Sequence, residues 1–393
     1  MFRMSAPTTM SLLLCLCGIV PAGQALSQQP SSSMPTLRGG PRSVDEVEAA
    51  LRAVQKQTGV KAASVALVRG AKTAFVRTIG TRIGPGDAAA NEFTVFRAAS
   101  LSKPVFAYLV FMIVNEGLLD LDKPLHQYLE KALPDYPEYA DLAGDSRYRT
   151  ITARMALSHR TGFPNWRWQT KDRKLRILFN PGEKFLYSGE GYRYLQFIVE
   201  HLTGKDLETL AEEWVFRPLG MANSSYAWRD GYAENCAVDR VPIEKVFGRE
   251  FLTIPNCAGS LLTTATDYGR FLGAVLAGKG LPGRCRDEML RPQTVIAGKQ
   301  LFGPAVPAGP ATDRVSGLFW CLGWGGFWSD AGVARFHVGY DSPEYENYTV
   351  IYPRKNIGVV VLTSGGRGPD SASPPFVKAL IGDSDTPFRW MGY

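Results

Sequence analysis

Several short motifs that define common protein classes are missing from this chain of 393 residues. Its six cysteines include no Cys-x-x-Cys pair and its four histidines no His-Glu-x-x-His segment, so neither a zinc knuckle nor a catalytic metal is expected. We predict no cofactor. The absence of a Gly-x-Ser-x-Gly segment argues against the nucleophile elbow of α/β-hydrolases.

Long uniform runs of apolar or basic residues are missing as well. The apolar segment at residues 11–20 is too short to cross a bilayer as a helix, so no stable membrane span is predicted. The net charge of +7 is spread along the chain without a long Lys/Arg run, which argues against a nucleic-acid partner. The hydrophobic share of 45% is ample for a large folded core.

Residues 1–25 are predicted to be a signal peptide. Arg3 supplies the positive start, the apolar segment follows, and small residues at 23–25 precede a cleavage point. We therefore expect a secreted or periplasmic protein with export of the bacterial type. Cys15 and Cys17 raise the alternative of a lipoprotein anchor, which is disfavoured because a leucine precedes each where a small residue is expected.

The mature chain is expected to be a flexible linker followed by one domain. Residues 26–42 are rich in Ser, Gln, Pro and Gly, as linkers are, and the domain covers residues 43–393. Export permits disulfides, and the four cysteines of the domain allow three pairings. They are Cys236, Cys257, Cys285 and Cys321.

Strand-like segments lie near both ends of the domain, and helix-like segments lie in the middle. Ser43 and Glu46 form a capping box for a first helix that ends at Gly59. Segments 63–69 and 73–79 have the pattern of a hairpin. The later predicted strands are residues 319–324, 335–339, 347–352 and 357–363. The later predicted helices are residues 105–119, 152–158, 195–203 and 374–381.

This order of elements predicts an α+β fold, an α/β sandwich. One antiparallel sheet is formed from both chain ends, about residues 43–98 and 316–393, and helices flank it. The mainly helical region between them, about residues 99–315, is inserted as a second lobe. A site is expected in the crevice between the two lobes.

A Ser-x-x-Lys pair, Ser100 and Lys103, opens a strongly apolar helical segment. Residues three apart share a helix face, so the amine is expected beside the hydroxyl. A serine hydroxyl becomes a good nucleophile when a neighbouring base takes its proton, and lysine is such a base where burial lowers its pKa. An isolated pair is more often a solvated helix face, so the surrounding motifs decide its interpretation.

Six segments, in order over about residues 43–365, resemble the serine β-lactamase-like hydrolases. This superfamily contains class C β-lactamases, D,D-peptidases and related esterases, and it implies a β-lactamase/transpeptidase-like fold. Ser100–Lys103 looks like the first family motif, Tyr187-Ser188-Gly189 stands where Tyr-x-Asn falls, and His337-Val338-Gly339 looks like Lys-Thr-Gly in its His-x-Gly form. The supporting segments are residues 157–164, 217–221 and 259–267.

The resemblance implies an exported serine hydrolase that acts on a small ester or amide, or on a peptidoglycan-like substrate. Ser100 would attack the acyl carbonyl and form an acyl-enzyme. Lys103 and Tyr187 would share the role of base, because a phenol loses its proton easily beside an ammonium. The backbone N–H groups of Ser100 and Tyr340 would hold the oxyanion.

Two site positions depart from the family pattern. Gly189 stands where the family has asparagine, so an amide that would hold Lys103 or a substrate carbonyl is missing. His337, which with Gly339 would line the substrate site, replaces a lysine and is mostly neutral at pH 7. It would orient the substrate or support the Tyr187 hydroxyl. Both departures favour an esterase or D-peptidase-like activity over hydrolysis of penicillin-like carboxylates.

Alternative functions stay open at this point. One is a true class C-like β-lactamase. Another is a penicillin- or peptidoglycan-binding sensor module that is acylated without turnover, and the missing amide at Gly189 is compatible with slow deacylation.

Several of these residues also have ordinary structural interpretations. Tyr187 can be a packed aromatic and His337 a hydrogen-bonded core residue. His159 is expected to bond backbone near Gly162, and Glu190 is either an acid that tunes the site or a surface carboxylate. The tryptophans of the strand region are expected in the core rather than in a substrate pocket. They are Trp320, Trp324 and Trp328.

Overall fold

The computed structural model of the chain describes residues 33–38, 40–82, 88–237, 253–296, 317–341, 345–365, 371–382 and 385–391. The predicted signal peptide at residues 1–25, with Cys15 and Cys17, lies outside the described residues.

The secondary structure follows the predicted order, with strands at both ends and helices between. The strands are Ser33–Met34 (β1), Arg42–Ser43 (β2), Ala62–Arg69 (β3), Lys72–Gly80 (β4), Phe96–Arg97 (β5), Leu262–Thr263 (β6), Thr294–Val295 (β7), Phe319–Trp320 (β8), Gly325–Ser329 (β9), Gly332–Asp341 (β10), Tyr345–Tyr352 (β11) and Ile357–Ser364 (β12). The α-helices are Val44–Thr58 (α1), Ser102–Asn115 (α2), Ala153–Leu157 (α3), Gly189–Thr203 (α4), Leu207–Ala211 (α5), Arg217–Leu219 (α6), Ala265–Ala277 (α7), Gly283–Met289 (α8), Ser373–Ile381 (α9) and Phe388–Met391 (α10).

Eight strands form one antiparallel sheet in the order β4-β3-β12-β11-β10-β9-β8-β7. Its central strands come from the two ends of the domain, so the predicted α+β fold with a sheet built from both ends is confirmed. Two short strands come from the region that was predicted to be helical. Of these, β7 lies at one edge of the sheet, and β6 pairs with β5.

Both faces of the sheet are covered, which explains why its central strands are apolar along their whole length. Successive side chains of a strand point to opposite faces. Val65 of β3 and its partner Val361 of β12 therefore belong to the core beneath α1 and α9. Ala66 and its partner Val360 belong to the core on the helical side, where α7 packs across both strands.

The first helix begins and ends at the predicted residues. The Ser43 hydroxyl accepts from the Glu46 N–H at 3.2 Å, and the Ser43 N–H donates to the Glu46 carboxylate at 2.7 Å, which completes the capping box. Gly59 ends the helix with a φ of 70°, a left-handed conformation that glycine adopts without strain.

The predicted flexible linker is not free of the domain where the structure describes it. β1 pairs with β2, Met34 is buried, and the Leu37 N–H donates to the Ile381 carbonyl at the end of α9 at 2.8 Å. Composition alone suggested a flexible segment, but one buried methionine and a short strand pair anchor this part to the α1–α9 face.

The helical lobe surrounds α2, which is apolar on all sides and almost entirely buried, as a central helix should be. Of the four cysteines predicted as disulfide candidates, three are buried free thiols, namely Cys257, Cys285 and Cys321, so none of the three pairings is formed. Of the helices in the described ranges, none combines the length and hydropathy needed to cross a membrane.

Candidate active site

Ser100 lies in a single 3₁₀ turn, Ala99–Leu101, that leads directly into α2. The sequence predicted the first turn of the helix itself, and the difference arises because Ala99 has a φ of 48°, which no α-helix allows. The Ser102 hydroxyl donates to the Ala99 carbonyl at 2.6 Å and accepts from the Leu261 N–H at 3.0 Å. The strained turn is therefore held in place, and the Ser100 side chain stays partly exposed to solvent.

Lys103 lies beside this hydroxyl and is completely buried. Its Nζ is 3.0 Å from Ser100 Oγ and donates to the Ala258 carbonyl at 2.7 Å. Burial lowers the pKa of Lys103 to about 7, and the nearby Cys257 thiol only partly opposes this shift. At neutral pH a large fraction of the side chain is therefore a free amine that can accept the Ser100 proton.

The Ala258 carbonyl is a site group that the sequence did not reveal. It accepts from Lys103 and lies 3.4 Å from Ser100 Oγ, so it orients both groups. A backbone acceptor leaves no residue-type signal. The only indication was that the supporting motif at residues 259–267 begins at the next residue.

Tyr187 lies just before α4 and packs against the lysine, whose Nζ is 4.8 Å from the centroid of the phenol ring. Tyr187 is buried, and burial raises the pKa of its hydroxyl above the ordinary value, although an interaction with the Ser100 side chain opposes the shift. This direction is opposite to the easily ionised phenol that we expected. The structure therefore favours Lys103 as the base, with Tyr187 protonated.

The His159 ring packs against the Tyr187 ring with an angle of 35° between the two planes. The two ring centroids are 4.2 Å apart, and His159 Nδ1 accepts from the Ser188 N–H at 3.0 Å. This contact fits the structural role that was expected for His159. Its hydrogen-bond partner is the Ser188 N–H, next to Tyr187, and not a backbone group near Gly162. His159 thus holds the Tyr187 segment in place through its contact with the phenol ring and its hydrogen bond to Ser188.

His337 lies on β10, and its ring centroid is 6.1 Å from that of Tyr187. It is completely buried, and its Nδ1 is 2.8 Å from the Val338 carbonyl. Burial and, secondarily, the charge of Lys103 lower the pKa of His337 to about 3, so it is neutral at physiological pH. Its predicted role in orienting the substrate stays a prediction.

At Gly339, strand β10 passes close to the turn that carries Ser100. A Cβ at this position would collide with the Ala98 carbonyl oxygen, so only glycine permits the approach. Asn347, which is opposite Gly339 on β11, donates to the carbonyl just before Ala98 at 2.9 Å. Tyr340, the next residue of β10, therefore lies beside the point where this strand contacts the Ser100 turn. The predicted role of the Ser100 and Tyr340 N–H groups as oxyanion donors stays a prediction.

Gly189 begins α4, and its N–H donates to the Asn165 backbone oxygen at 3.0 Å. The next residue, Glu190, is 1% exposed and pairs with the Arg167 guanidinium at 2.8 Å and 3.0 Å. It also accepts from the Arg167 N–H at 2.9 Å. Glu190 is therefore neither a tuning acid nor a surface carboxylate. It is a buried clamp that fixes the loop around Arg167 to α4.

The strand tryptophans do not line the site together. Trp320 and Trp324 are buried in the core, as expected, whereas Trp328 is 59% exposed. A cavity of about 630 Å³ lies elsewhere, between α7, α8 and strands β10 and β11, and contains none of the predicted site residues. Within the described ranges, no three His, Cys, Asp or Glu side chains are grouped so that they could hold a metal ion. The candidate site is thus defined by the converging hydroxyl, amine and phenol.

Comparisons with known proteins show what this chain is similar to. The family described as Beta-lactamase matches residues 47–382. The human protein "Putative beta-lactamase-like 1" is 24% identical over 370 residues, which are 88% of this chain and 69% of that protein. Esterase EstB of Burkholderia gladioli is 26% identical over 297 residues, which are 60% of this chain and 73% of the esterase.

The fold also resembles a solved structure. The crystal structure of D-alanine carboxypeptidase AmpC from Burkholderia cenocepacia matches with a TM-score of 0.64 at 19% identity, over 86% of this chain and 96% of that chain. At this identity the likeness concerns the fold alone. Because the family match spans most of the sequence, the chain belongs to the Beta-lactamase family.

Proposed function

We propose that this protein is an exported serine hydrolase that cleaves a small ester or amide through an acyl-enzyme on Ser100. The observation that carries the proposal is the 3.0 Å contact between Ser100 Oγ and Lys103 Nζ, with the pKa of that lysine lowered by burial to about 7. A free amine at this distance can take the hydroxyl proton as the oxygen attacks. Membership of the Beta-lactamase family and the similarity to Esterase EstB support the same reaction class.

In the proposed acylation, Ser100 Oγ bonds to the acyl carbon and its proton moves to Lys103 Nζ. The N–H groups of Ser100 and Tyr340 stabilise the oxyanion. The intermediate then expels the alcohol or amine, which receives the proton through the Tyr187 hydroxyl. Water, deprotonated by Lys103, attacks the acyl carbon next. The bond to Ser100 Oγ breaks, Lys103 returns the proton to that oxygen, and the acid and free Ser100 are released.

Esters and D-amino-acid amides are proposed ahead of penicillin-like substrates. His337 is buried and neutral, so it offers no positive charge to a substrate carboxylate. Gly189 lacks the side-chain amide that would bind a substrate carbonyl. A substrate that carries neither a carboxylate nor a further carbonyl beside the scissile one loses nothing at these two positions.

A hydrolysis panel tests the proposal. It compares p-nitrophenyl acetate and butyrate, nitrocefin, and D-alanyl or other D-amino-acid amides, each with the wild-type protein and with Ser100→Ala. We expect ester or amide turnover above nitrocefin turnover, and none with Ser100→Ala. Turnover that survives in Ser100→Ala would remove Ser100 from the mechanism. A fluorophosphonate or fluorescent penicillin that stays on Ser100 without steady-state turnover would instead support the sensor function.

Export is proposed from the signal-like segment at residues 1–25. In a bacterial host the full chain should be recovered from the periplasm or the medium, and mass spectrometry should show a new N-terminus close to residue 26. A full-length protein that stays in the cytoplasm would contradict this part of the proposal.

A further inference from the structure

The space of the side chain that Gly189 lacks is filled by Trp166. A Cβ built on Gly189 would lie 2.5–2.8 Å from three carbon atoms of the six-membered ring of Trp166. Real Cβ atoms essentially never approach other atoms so closely, so any side chain at residue 189 would have to displace the indole. The glycine and the tryptophan therefore form one unit that replaces the amide of the family pattern.

The indole lies on the catalytic side of the chain. Ser188 has extended backbone angles, a φ of −139° and a ψ of 113°, so Tyr187 and Gly189 project to the same side and Ser188 to the other. The Ser188 hydroxyl accordingly donates away from the site, to the Pro164 carbonyl at 2.8 Å. The Tyr187 ring lies 4.8 Å from Lys103 Nζ, which contacts Ser100 Oγ at 3.0 Å, so the indole over Gly189 borders the reacting groups.

The position of Trp166 is fixed by its neighbours in the chain. Trp168 stacks on it, with ring centroids 4.5 Å apart and an angle of 11° between the planes. Arg167, between the two, is held by the buried Glu190 and donates to the Glu138 carbonyl at 2.7 Å. Trp168 is 44% exposed and Trp166 is partly buried, so the pair forms a rigid aromatic wall that reaches solvent.

We propose that Trp166 is a specificity-determining residue that selects flat or bulky apolar acyl groups, such as aryl-acetyl groups, for transfer to Ser100. This inference rests on the proposed serine hydrolase function. An indole face offers apolar area and ring stacking but does not replace the hydrogen bond that a side-chain amide would give to an acylamino group. The wall therefore favours esters of hydrophobic acids over acylamino substrates.

The test compares kcat/KM for p-nitrophenyl phenylacetate and p-nitrophenyl acetate, whose leaving groups are identical. The wild-type protein should prefer the phenylacetate. Trp166→Ala should reduce this preference about tenfold, mainly through KM, since ring contacts of this kind contribute roughly one factor of ten. Trp328→Ala, which removes an exposed tryptophan of β9, is the control and should leave the preference unchanged.

The outcomes separate this inference from the proposed function. No Ser100-dependent turnover of either ester would contradict the proposed function. Turnover of both esters with an unchanged preference in Trp166→Ala would overturn the inference alone. If Trp166→Ala does not fold, Trp166→Leu replaces it, because leucine keeps apolar volume but has no flat face. Trp166→Leu should then show the same loss of preference for the phenylacetate.

The contact between the two residues gives an independent test. Gly189→Ala should lower phenylacetate turnover because its Cβ pushes the indole away from its place. Adding Trp166→Ala should make the Gly189→Ala substitution nearly neutral, so that the double variant matches Trp166→Ala. If Gly189→Ala is equally harmful with and without the indole, the two residues are not the coupled unit that we infer.

Discussion

Two buried ionisable side chains at this site have opposite surroundings. Glu190 is paired on both of its carboxylate oxygens by Arg167. Lys103 has a carbonyl, a hydroxyl and two tyrosine rings around it, and in the part of the chain that the structure describes no carboxylate pairs with it. Buried charges are normally paired, because desolvation is costly. The paired residue serves the stability of the loop, and the unpaired one keeps a pKa that suits proton transfer.

Of the substitutions that test this difference between Lys103 and Glu190, Lys103→Met should have the largest effect. Removing the base should lower kcat/KM for the best ester by about a thousandfold or more. The fold should survive, because the lowered pKa of the buried lysine is a cost to stability. That cost is complete below pH 7 and disappears as the pH rises to the unfolded value of 10.5.

The measurements are ester kinetics and thermal unfolding at pH 6 and pH 10. We expect Lys103→Met to be more stable than wild type at pH 6, with the difference shrinking at pH 10. Retention of more than a tenth of the wild-type kcat/KM would show that another group is the base.

Arg167→Met tests the paired side of the comparison. It leaves the Glu190 carboxylate buried without its cation, which should cost about 3 kcal/mol in the free energy of unfolding. Urea unfolding measures the change. The matched control is Arg176→Met, which removes the ion pair between Arg176 and Asp172, both exposed, and should change the free energy of unfolding far less, because solvent screens an exposed pair. Equal losses of unfolding free energy in Arg167→Met and Arg176→Met would mean that the buried pair does not stabilise the loop around Arg167.

Gly339→Ala should have a smaller effect, confined mainly to turnover. Its Cβ would push β10 away from the Ala98 carbonyl and so disturb the predicted oxyanion donors, with kcat lower by about tenfold to a hundredfold. Gly358→Ala, on β12, is a suitable control because its nearest neighbour is a side-chain methyl of Ile351 at 3.2 Å. Ester kinetics should distinguish the two, and equal kcat values would argue against a catalytic role for this approach.

His337→Gln should have the smallest effect on the pH profile. The pKa of His337 is about 3, so this residue does not titrate near neutrality. The rise of kcat/KM around pH 7 should therefore remain in the variant, even if the maximal value of kcat/KM changes. If the rise around pH 7 is absent from the His337→Gln variant, the group that titrates is His337 and not Lys103.

The sequence was informative wherever chemistry depends on residue type at a short spacing. Ser100 and Lys103 are three residues apart, so one turn of chain is enough to bring their side chains together. The alternation and apolar runs of the strands likewise predicted a covered antiparallel sheet built from both ends.

The remainder depends on contacts between distant segments and on backbone groups. Lys103 meets the Ala258 carbonyl, which lies 155 residues away and has no side-chain signal. The positive φ of Ala99 could not be predicted, since alanine rarely adopts it. Trp166 and Gly189 gave no sign of contact, because the absence of a side chain does not indicate what fills the space.

The most direct test of the central claim is the pH dependence of Ser100 acylation, measured in a single turnover of p-nitrophenyl butyrate with wild type and with Lys103→Met. We predict that the wild-type rate rises through about pH 7 to a plateau and that the rise is absent from the variant. A wild-type rate that keeps rising towards pH 10.5, or an identical rise in Lys103→Met, would contradict the account.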